Sequence, residues 1–350
     1  MFLGLEHMRF SPPNSTLSVL SVLIAIISMG IYAYLVALAD RYEREPIKLL
    51  LLALVWGGVF AAGMAFFLEI LFAVLIGVFP PPVRWLLEVS VGAPIFEEFA
   101  KGLFLLILYT RWRYELDGVI DGLVYGAMLG FGFSATENLL YFNQGLGKGM
   151  LVWVSLVFWR QFVFGLNHAF YTSFTGLGLG LARWGTGRWR YIFPPLGFAL
   201  AVGAHAVHNT LVSSPFGAIG ALGAWLFSAG GILIVLLIWA LSLRKERKII
   251  EEQLRSEVGS LIPEKTYLAL VEDLSRLKPH IVRTSGKIDR RLRDLLVELA
   301  MKKYQSKQMT SPEDRRELSR RLAQLRAEIA TLQEQGKEPQ QPPLNEEMST

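Results

Sequence analysis

Seven stretches of this chain are too long and too apolar for the interior of an ordinary soluble domain. They run approximately over 17–39, 48–79, 91–110, 117–143, 150–182, 192–213 and 218–243. A helix needs about 20 apolar residues to cross the hydrocarbon of a bilayer. Only helices and closed barrels satisfy their own backbone there. The expected fold class is therefore all-α: a polytopic membrane helical bundle with about seven transmembrane helices. A hydrophobic content of 52% agrees with that class. The first run exceeds the core of a signal peptide and lacks a small-residue cleavage site, so it reads as a retained helix. The chain has no cysteine. That excludes a disulfide framework, thiolate catalysis and a Cys-ligated metal.

Charge density changes at Leu243/Arg244. Residues 1–243 hold 13 Lys+Arg and 12 Asp+Glu, whereas 244–350 hold 22 and 18. The expected domains are a membrane domain over 1–243, a C-terminal cytoplasmic helical tail with a short coiled coil over 244–335, and a disordered, Pro-rich end over 336–350. Ser311, Pro312 and Glu313 begin a helix. Leu318, Leu322, Leu325, Ile329 and Leu332 then form an apolar seam. Residues 311–335 are the candidate for a cytoplasmic partner or self-association. The basic residues of the tail alternate with acids, so no nucleic acid partner is expected and the lipid bilayer is the better one.

Lys and Arg in the loops set the orientation. Alternate loops carry Arg41, Arg44, Lys48, Arg111, Arg113, Arg183, Arg188, Arg190, Arg244, Lys245, Arg247 and Lys248; the opposite side carries Arg9, Arg84 and Lys148, with Arg160 if it is interfacial. The N-terminus is expected outside, the C-terminus cytoplasmic, and the whole in a cell membrane.

Ionisable groups at membrane depth cost roughly 2.5–3.5 kcal/mol each and are functional by default. Four runs carry such groups at similar depth. The third has Glu97, Glu98 and Lys101 in APIFEEFAK; the fourth has Glu137 and Asn138; the fifth has His168; the sixth has His205, His208 and Asn209 in AHAVHNT. On the charge-derived topology these groups lie about 7–12 Å below the outer surface. Taken singly, Glu69 reads as a structural bridge between helices, Asp117 and Asp121 as local partners of Arg111 and Arg113, and His168 as a helix–helix donor. Taken together, acids, imidazoles and an amide at one depth read as one site. Such a set can activate water and stabilise an oxyanion. Glu97, Glu98, His168 and His205 are candidate ligands if a divalent metal such as zinc is present, and a glutamate base needs no cofactor. A transporter or proton relay uses the same groups, although no inverted repeat is evident. An inert scaffold acting through its tail is the third class.

EEFAK at 97–101 resembles the EExxK motif of the PrsW family of intramembrane proteases. Residues 121–138 resemble its second motif, ending in Phe133, Glu137 and Asn138. His168 matches the lone histidine of the third, and HAVHN at 205–209 the HxxxN of the fourth. The resemblance covers roughly residues 30–245 and implies a bacterial membrane endopeptidase. Its substrate would be a membrane-anchored protein cut near the outer leaflet, as in the first cleavage of an anti-sigma factor. The catalytic set it implies is Glu97, Glu98, Lys101, Glu137, Asn138, His168, His205 and Asn209.

Overall fold

The computed structural model describes residues 15–112, 114–185, 187–275, 288–308 and 312–335. The expectations for Arg9, Arg113, Ser311 and the end after Gln335 lie outside the described residues. Every regular segment described is helical. Two compact units are present: Met1–Asp40 with Arg44–Ser242, and Arg41–Glu43 with Leu243–Thr350.

The first unit is a polytopic helical bundle. Among the described residues, six helical stretches are long and apolar enough to cross a membrane: Thr16–Ala39, Ile47–Val78, Val119–Lys148, Met150–Arg183, Trp189–Val212 and Ala218–Arg255. The remaining expected run becomes α4 (Pro81–Leu87), a π-helical turn over Glu88–Gly92, and α5 (Ala93–Arg111). Two glutamates and a lysine make α5 less apolar than its neighbours. They also explain why it must be enclosed by other helices.

The six are built as α1 (Ser15–Ala39), α2 (Ile47–Val55) with α3 (Ala62–Leu75), α6 (Val119–Lys148), α7 (Met150–Phe158) with α8 (Asn167–Trp184), α9 (Trp189–Val212) and α10 (Ala218–Arg255). α6 is the central rod. Its apolar window is 89% buried, against 11–28% for the other five. Glycine makes that possible. A Cβ on Gly122 would lie 2.1 Å from Gly176 O of α8, so the two backbones touch there. Helices in lipid associate by such close van der Waals contact, since lipid tails supply no hydrophobic drive. The outer helices leave Val19, Ile26, Leu233 and Leu236 exposed, as lipid-facing surfaces require.

Two long runs are interrupted. α2 and α3 join through a π-helical turn over Trp56–Ala61, which contains the Gly57–Gly58 pair. The turn aims Trp56, whose indole N–H donates to Ala100 O of α5 at 3.1 Å. In the fifth run a π-helical turn covers Trp159–Val163, and α8 begins at Asn167. Asp121 serves as a backbone cap, accepting from the N–H groups of Asp117 at 2.9 Å and Gly118 at 2.6 Å where α6 starts.

The second unit comprises the end of α10, α11 (Glu264–Ser275), α12 (Arg290–Gln308) and α13 (Pro312–Gln335). Leu318, Leu322, Leu325 and Ile329 are buried within it, as are Leu295, Leu296 and Leu299 of α12. The α13 seam thus serves the unit's own core, and a partner would have to use another face. Glu257 is a polar hub. It accepts from Lys303 Nζ at 2.5 Å and from Arg326 Nη2 at 2.8 Å. The Arg326 hydrogen bond, and after it that of Lys303, hold the Glu257 carboxyl below its ordinary range against the opposing effect of burial. Stabilisation from this group is fully present above the unfolded value of about 4.3 and is lost as pH falls through the lower folded value. Limited proteolysis of the full chain in detergent should therefore show residues 244–335 becoming more susceptible on acidification through that window. Glu257→Gln should be more susceptible already at neutral pH, with a weaker acid dependence; identical profiles for the two proteins would refute the assignment.

Candidate active site

α5 begins with Pro94 in its first turn, after the π-helical turn over Glu88–Gly92. The helical repeat then stacks Lys101 one turn beyond both glutamates. Lys101 Nζ lies 2.5 Å from Glu98 Oε1 and 4.0 Å from Glu97 Oε2. All three side chains are buried, Glu98 and Lys101 completely. A buried ion pair is retained only when further hydrogen bonds offset the desolvation of its charges. Glu98 has them. Thr172 Oγ1 donates to its Oε2 at 2.9 Å, and His205 Nδ1 lies 3.2 Å from its Oε1. The Lys101 ammonium also sits over the Phe133 ring, 4.4 Å from the centroid.

α6 contributes Glu137 and Asn138, α8 contributes His168 in its first turn, and α9 contributes His205. Gly130 on α6 lets the start of α8 approach; a Cβ there would lie 2.4 Å from His168 C and Ala169 N. His168 Nε2 lies 2.7 Å from Glu137 Oε2. The two imidazoles meet edge to face at 5.1 Å, and His205 stacks on Tyr171 at 4.7 Å.

Each imidazole therefore has one nitrogen on a carboxylate and the other turned inward. His168 Nδ1 faces Glu97 Oε2 at 3.8 Å, and His205 Nε2 faces the same oxygen at 3.9 Å. Glu97 Oε2 is buried and has no hydrogen-bond partner within the protein. With Glu137 and Glu98 as acceptors, both inward nitrogens carry lone pairs. Three acceptors then converge where only the Lys101 ammonium is near, 3.2 Å from His168 Nδ1.

Six expected site residues thus meet: Glu97, Glu98, Lys101, Glu137, His168 and His205. Asn138 stands beside them and accepts from Arg160 Nε at 2.6 Å. Asn209 is one turn from His205, but its amide donates to Val89 O at 3.2 Å, tying α9 to the turn before α5. His208 faces away from the acids, 3.2 Å from the Asn167 amide and from Ser228 Oγ. Sequence reading did not assign Thr172, Tyr171 or Arg160 to the site. For Arg160 a signal existed, a cation within an apolar run. Thr172 and Tyr171 carry none.

A family model described as PrsW family intramembrane metalloprotease matches residues 45–241, more than half of the chain. The chain belongs to the PrsW family. Protease PrsW of Geobacillus kaustophilus (strain HTA426) is 27% identical over 211 residues, covering 60% of this chain and 84% of that protein. Protease PrsW of Bacillus subtilis (strain 168) is 26% identical over 231 residues, covering 65% of this chain and 96% of that protein. No solved structure matches. Together with the apolar helices, PrsW membership makes this chain an intramembrane protease.

The PrsW description implies a metal, and the residues present fit one. Ligand atoms of Glu97, His168 and His205 lie within 4.8 Å of one another and are buried. The outward nitrogens of both histidines rest on carboxylates, the arrangement that orients metal-binding imidazoles. A carboxylate with two imidazoles is a donor set that suits zinc. Lys101 opposes a divalent ion by charge, but Glu98 neutralises it at 2.5 Å. Glu98, also expected as a candidate ligand, already has both oxygens engaged by Lys101, His205 and Thr172.

Proposed function

We propose that this chain is an endopeptidase that cuts a membrane-anchored protein near the outer leaflet, with Glu97 as the group that activates water. The observation carrying this reading is the buried, unpartnered Glu97 Oε2 facing two imidazole nitrogens at 3.8 and 3.9 Å. An acceptor-rich pocket of this kind suits a water molecule, which offers two protons, one to be held and one to be taken. Glu97 accepts a proton as the water oxygen bonds to the scissile carbonyl carbon. It then passes that proton to the amide nitrogen, the carbon–nitrogen bond breaks, and an amine and a carboxylic acid leave.

The neighbouring groups divide the remaining work. Lys101 holds Glu98, and Glu98 holds His205 through Nδ1. Glu137 holds His168 through Nε2. His168 and His205 orient the attacking water. With Nε2 of His205 an acceptor, the N–H donors for the carbonyl oxygen come from Lys101 and from Asn209 once substrate displaces its bond to Val89. Glu97, His168 and His205 would hold a divalent ion such as zinc, which would acidify bound water and polarise the carbonyl.

The outer-leaflet placement is supported by the loop charges, which put the N-terminus outside and the tail in the cytoplasm. An anti-sigma factor anchored by one transmembrane segment is the substrate class the family resemblance points to. The test is co-expression of the full chain with candidate single-pass membrane proteins, comparing wild type with Glu97→Gln. A new fragment of one candidate is expected with wild type only. Equal fragment yield from a stably inserted Glu97→Gln protein would sink the assignment.

A further inference from the structure

Arg160 was not needed to identify the site, yet it touches two of its residues. Its Nη2 lies 2.5 Å from Glu137 Oε2, the same oxygen that meets His168 Nε2 at 2.7 Å. Its Nε donates to Asn138 Oδ1 at 2.6 Å, and its guanidinium lies 3.9 Å from the centre of the Tyr141 ring. One planar fork thus spans two consecutive residues of α6, which a lysine's point charge cannot do. Asn138 Nδ2 has no hydrogen-bond partner, so Arg160 is the polar contact described for that side chain.

The backbone beneath Arg160 is irregular and braced. It belongs to the π-helical turn over Trp159–Val163, closed by Phe164 N–H donating to Trp159 O at 2.9 Å. Such turns recur at functional sites because they re-aim a side chain. The next residue, Gln161, is 1% exposed and is gripped by α1. Ser28 Oγ lies 2.7 Å from its side-chain amide, and Tyr32 O–H donates to its backbone carbonyl at 2.9 Å. α1 lies outside the part of the chain that the family model matches.

We propose that Arg160 is a positioning residue for peptide cleavage: carried on a turn whose next residue, Gln161, is held by Ser28 and Tyr32 of α1, it fixes Glu137 as the acceptor of His168 Nε2–H and so keeps Nδ1 turned toward Glu97. The inference rests on the function proposed above. Without Arg160, Glu137 keeps His168 as its one described donor and its carboxylate is no longer held in one rotamer, so the bond at Nε2 weakens while Lys101, 3.2 Å from Nδ1, still favours the proton on Nε2. Losing an outer partner of a site histidine typically lowers activity about 10–100-fold.

The test uses the full chain with nitrogen-15-labelled histidine in lipid nanodiscs. The chain has five histidines, and His168→Gln assigns the signal. Wild type should show His168 neutral with its proton on Nε2. Arg160→Met should keep the proton on Nε2, since Lys101 still faces Nδ1 at 3.2 Å, but should shift and broaden the Nε2 signal as its bond to Glu137 loosens; Arg160→Lys should be intermediate and Tyr32→Phe should show a smaller shift in the same direction. With the single-pass reporter found by co-expression, Arg160→Met should lose about 10–100-fold in kcat with KM little changed, and Arg160→Lys should recover part of it. An unchanged His168 signal in Arg160→Met overturns the proposal, as does an equal loss in Met and Lys variants. Should Arg160→Met fail to fold, an unchanged His168 signal in Arg160→Lys and Tyr32→Phe overturns it instead. Glu97→Gln separates this proposal from the reading beneath it. If that variant is dead while Arg160→Met cuts normally, only the role of Arg160 falls; if Glu97→Gln cuts normally, the proposed function falls first.

Discussion

Glu97→Gln is expected to abolish cleavage while leaving the protein at least as stable as wild type. The two effects separate because Glu97 Oε2 makes no hydrogen bond within the protein although it is buried. A buried carboxylate oxygen without a donor contributes nothing to folding and carries the desolvation cost of its charge. An amide of the same shape removes the charge and with it the proton acceptor. General-base removal of this kind costs about 10²–10⁴-fold in rate. Glu98→Gln should behave differently. Glu98 binds Lys101, His205 and Thr172 at 2.5, 3.2 and 2.9 Å, so its neutralisation leaves a buried ammonium uncompensated. Breaking a buried pair from one side costs about 3–5 kcal/mol. Both variants should be inactive, but Glu98→Gln, which leaves Lys101 only the more distant Glu97 at 4.0 Å, should melt much lower in detergent. Fragment yield and a thermal melt on the same preparations check this. A fully active Glu97→Gln protein, or matching melting losses in both, would remove the division of labour between the two acids. The same preparations address the metal. If Glu97, His168 and His205 hold a divalent ion, elemental analysis should find it in wild type and find less in Glu97→Gln.

The convergence of the four polar runs was legible in the sequence because charge is so costly in hydrocarbon that its positions are few. Glu97, Glu98, Glu137, His168 and His205 stand out against apolar neighbours, and loop charges assign them one depth. Which acid is free and which is clamped was not legible. That depends on Thr172, one hydroxyl among many, and on which nitrogen of His205 turns toward Glu98. Asn209 shows a similar limit. Its spacing from His205 puts both on one face of α9, but the amide reaches Val89 because the backbone before α5 winds as a π-helical turn and comes within 3.2 Å. Asp121 reads from the sequence as a partner for nearby arginines; its carboxylate caps α6, where the N–H groups of Asp117 and Gly118 are within reach. The interruption of the fifth run before Asn167 was not legible, because periodicity alone does not distinguish an α-helical from a π-helical turn.

Gly176→Ala should prevent the bundle from assembling, a larger effect than any substitution at the acids. A Cβ on Gly176 would lie 1.8 Å from Gly122 O, and the reciprocal Cβ on Gly122 would lie 2.1 Å from Gly176 O. Neither neighbour is a side chain that can rotate away; both are main-chain carbonyls of long helices. The helices would have to separate along their length. Overpacking against side chains costs about 1–3 kcal/mol. Here the cost is greater, because the separation also spreads contacts that lipid cannot replace by a hydrophobic term. It would reach the active site through Gly130, two turns further along α6, where α8 delivers His168 against backbone rather than side chain. Gly130→Ala should therefore yield a bundle that assembles poorly and in which His168 no longer reaches Glu137, now 2.7 Å away. Gly63→Ala supplies the control, since nothing lies within 4 Å of a Cβ at that position. Extracted into detergent and run on a sizing column, Gly63→Ala should match wild type, and Gly176→Ala should give little monodisperse protein. A normal yield of active Gly176→Ala protein would mean that α6 and α8 do not pack through their glycines, and the enclosure of the acids by four helices would lose its structural basis.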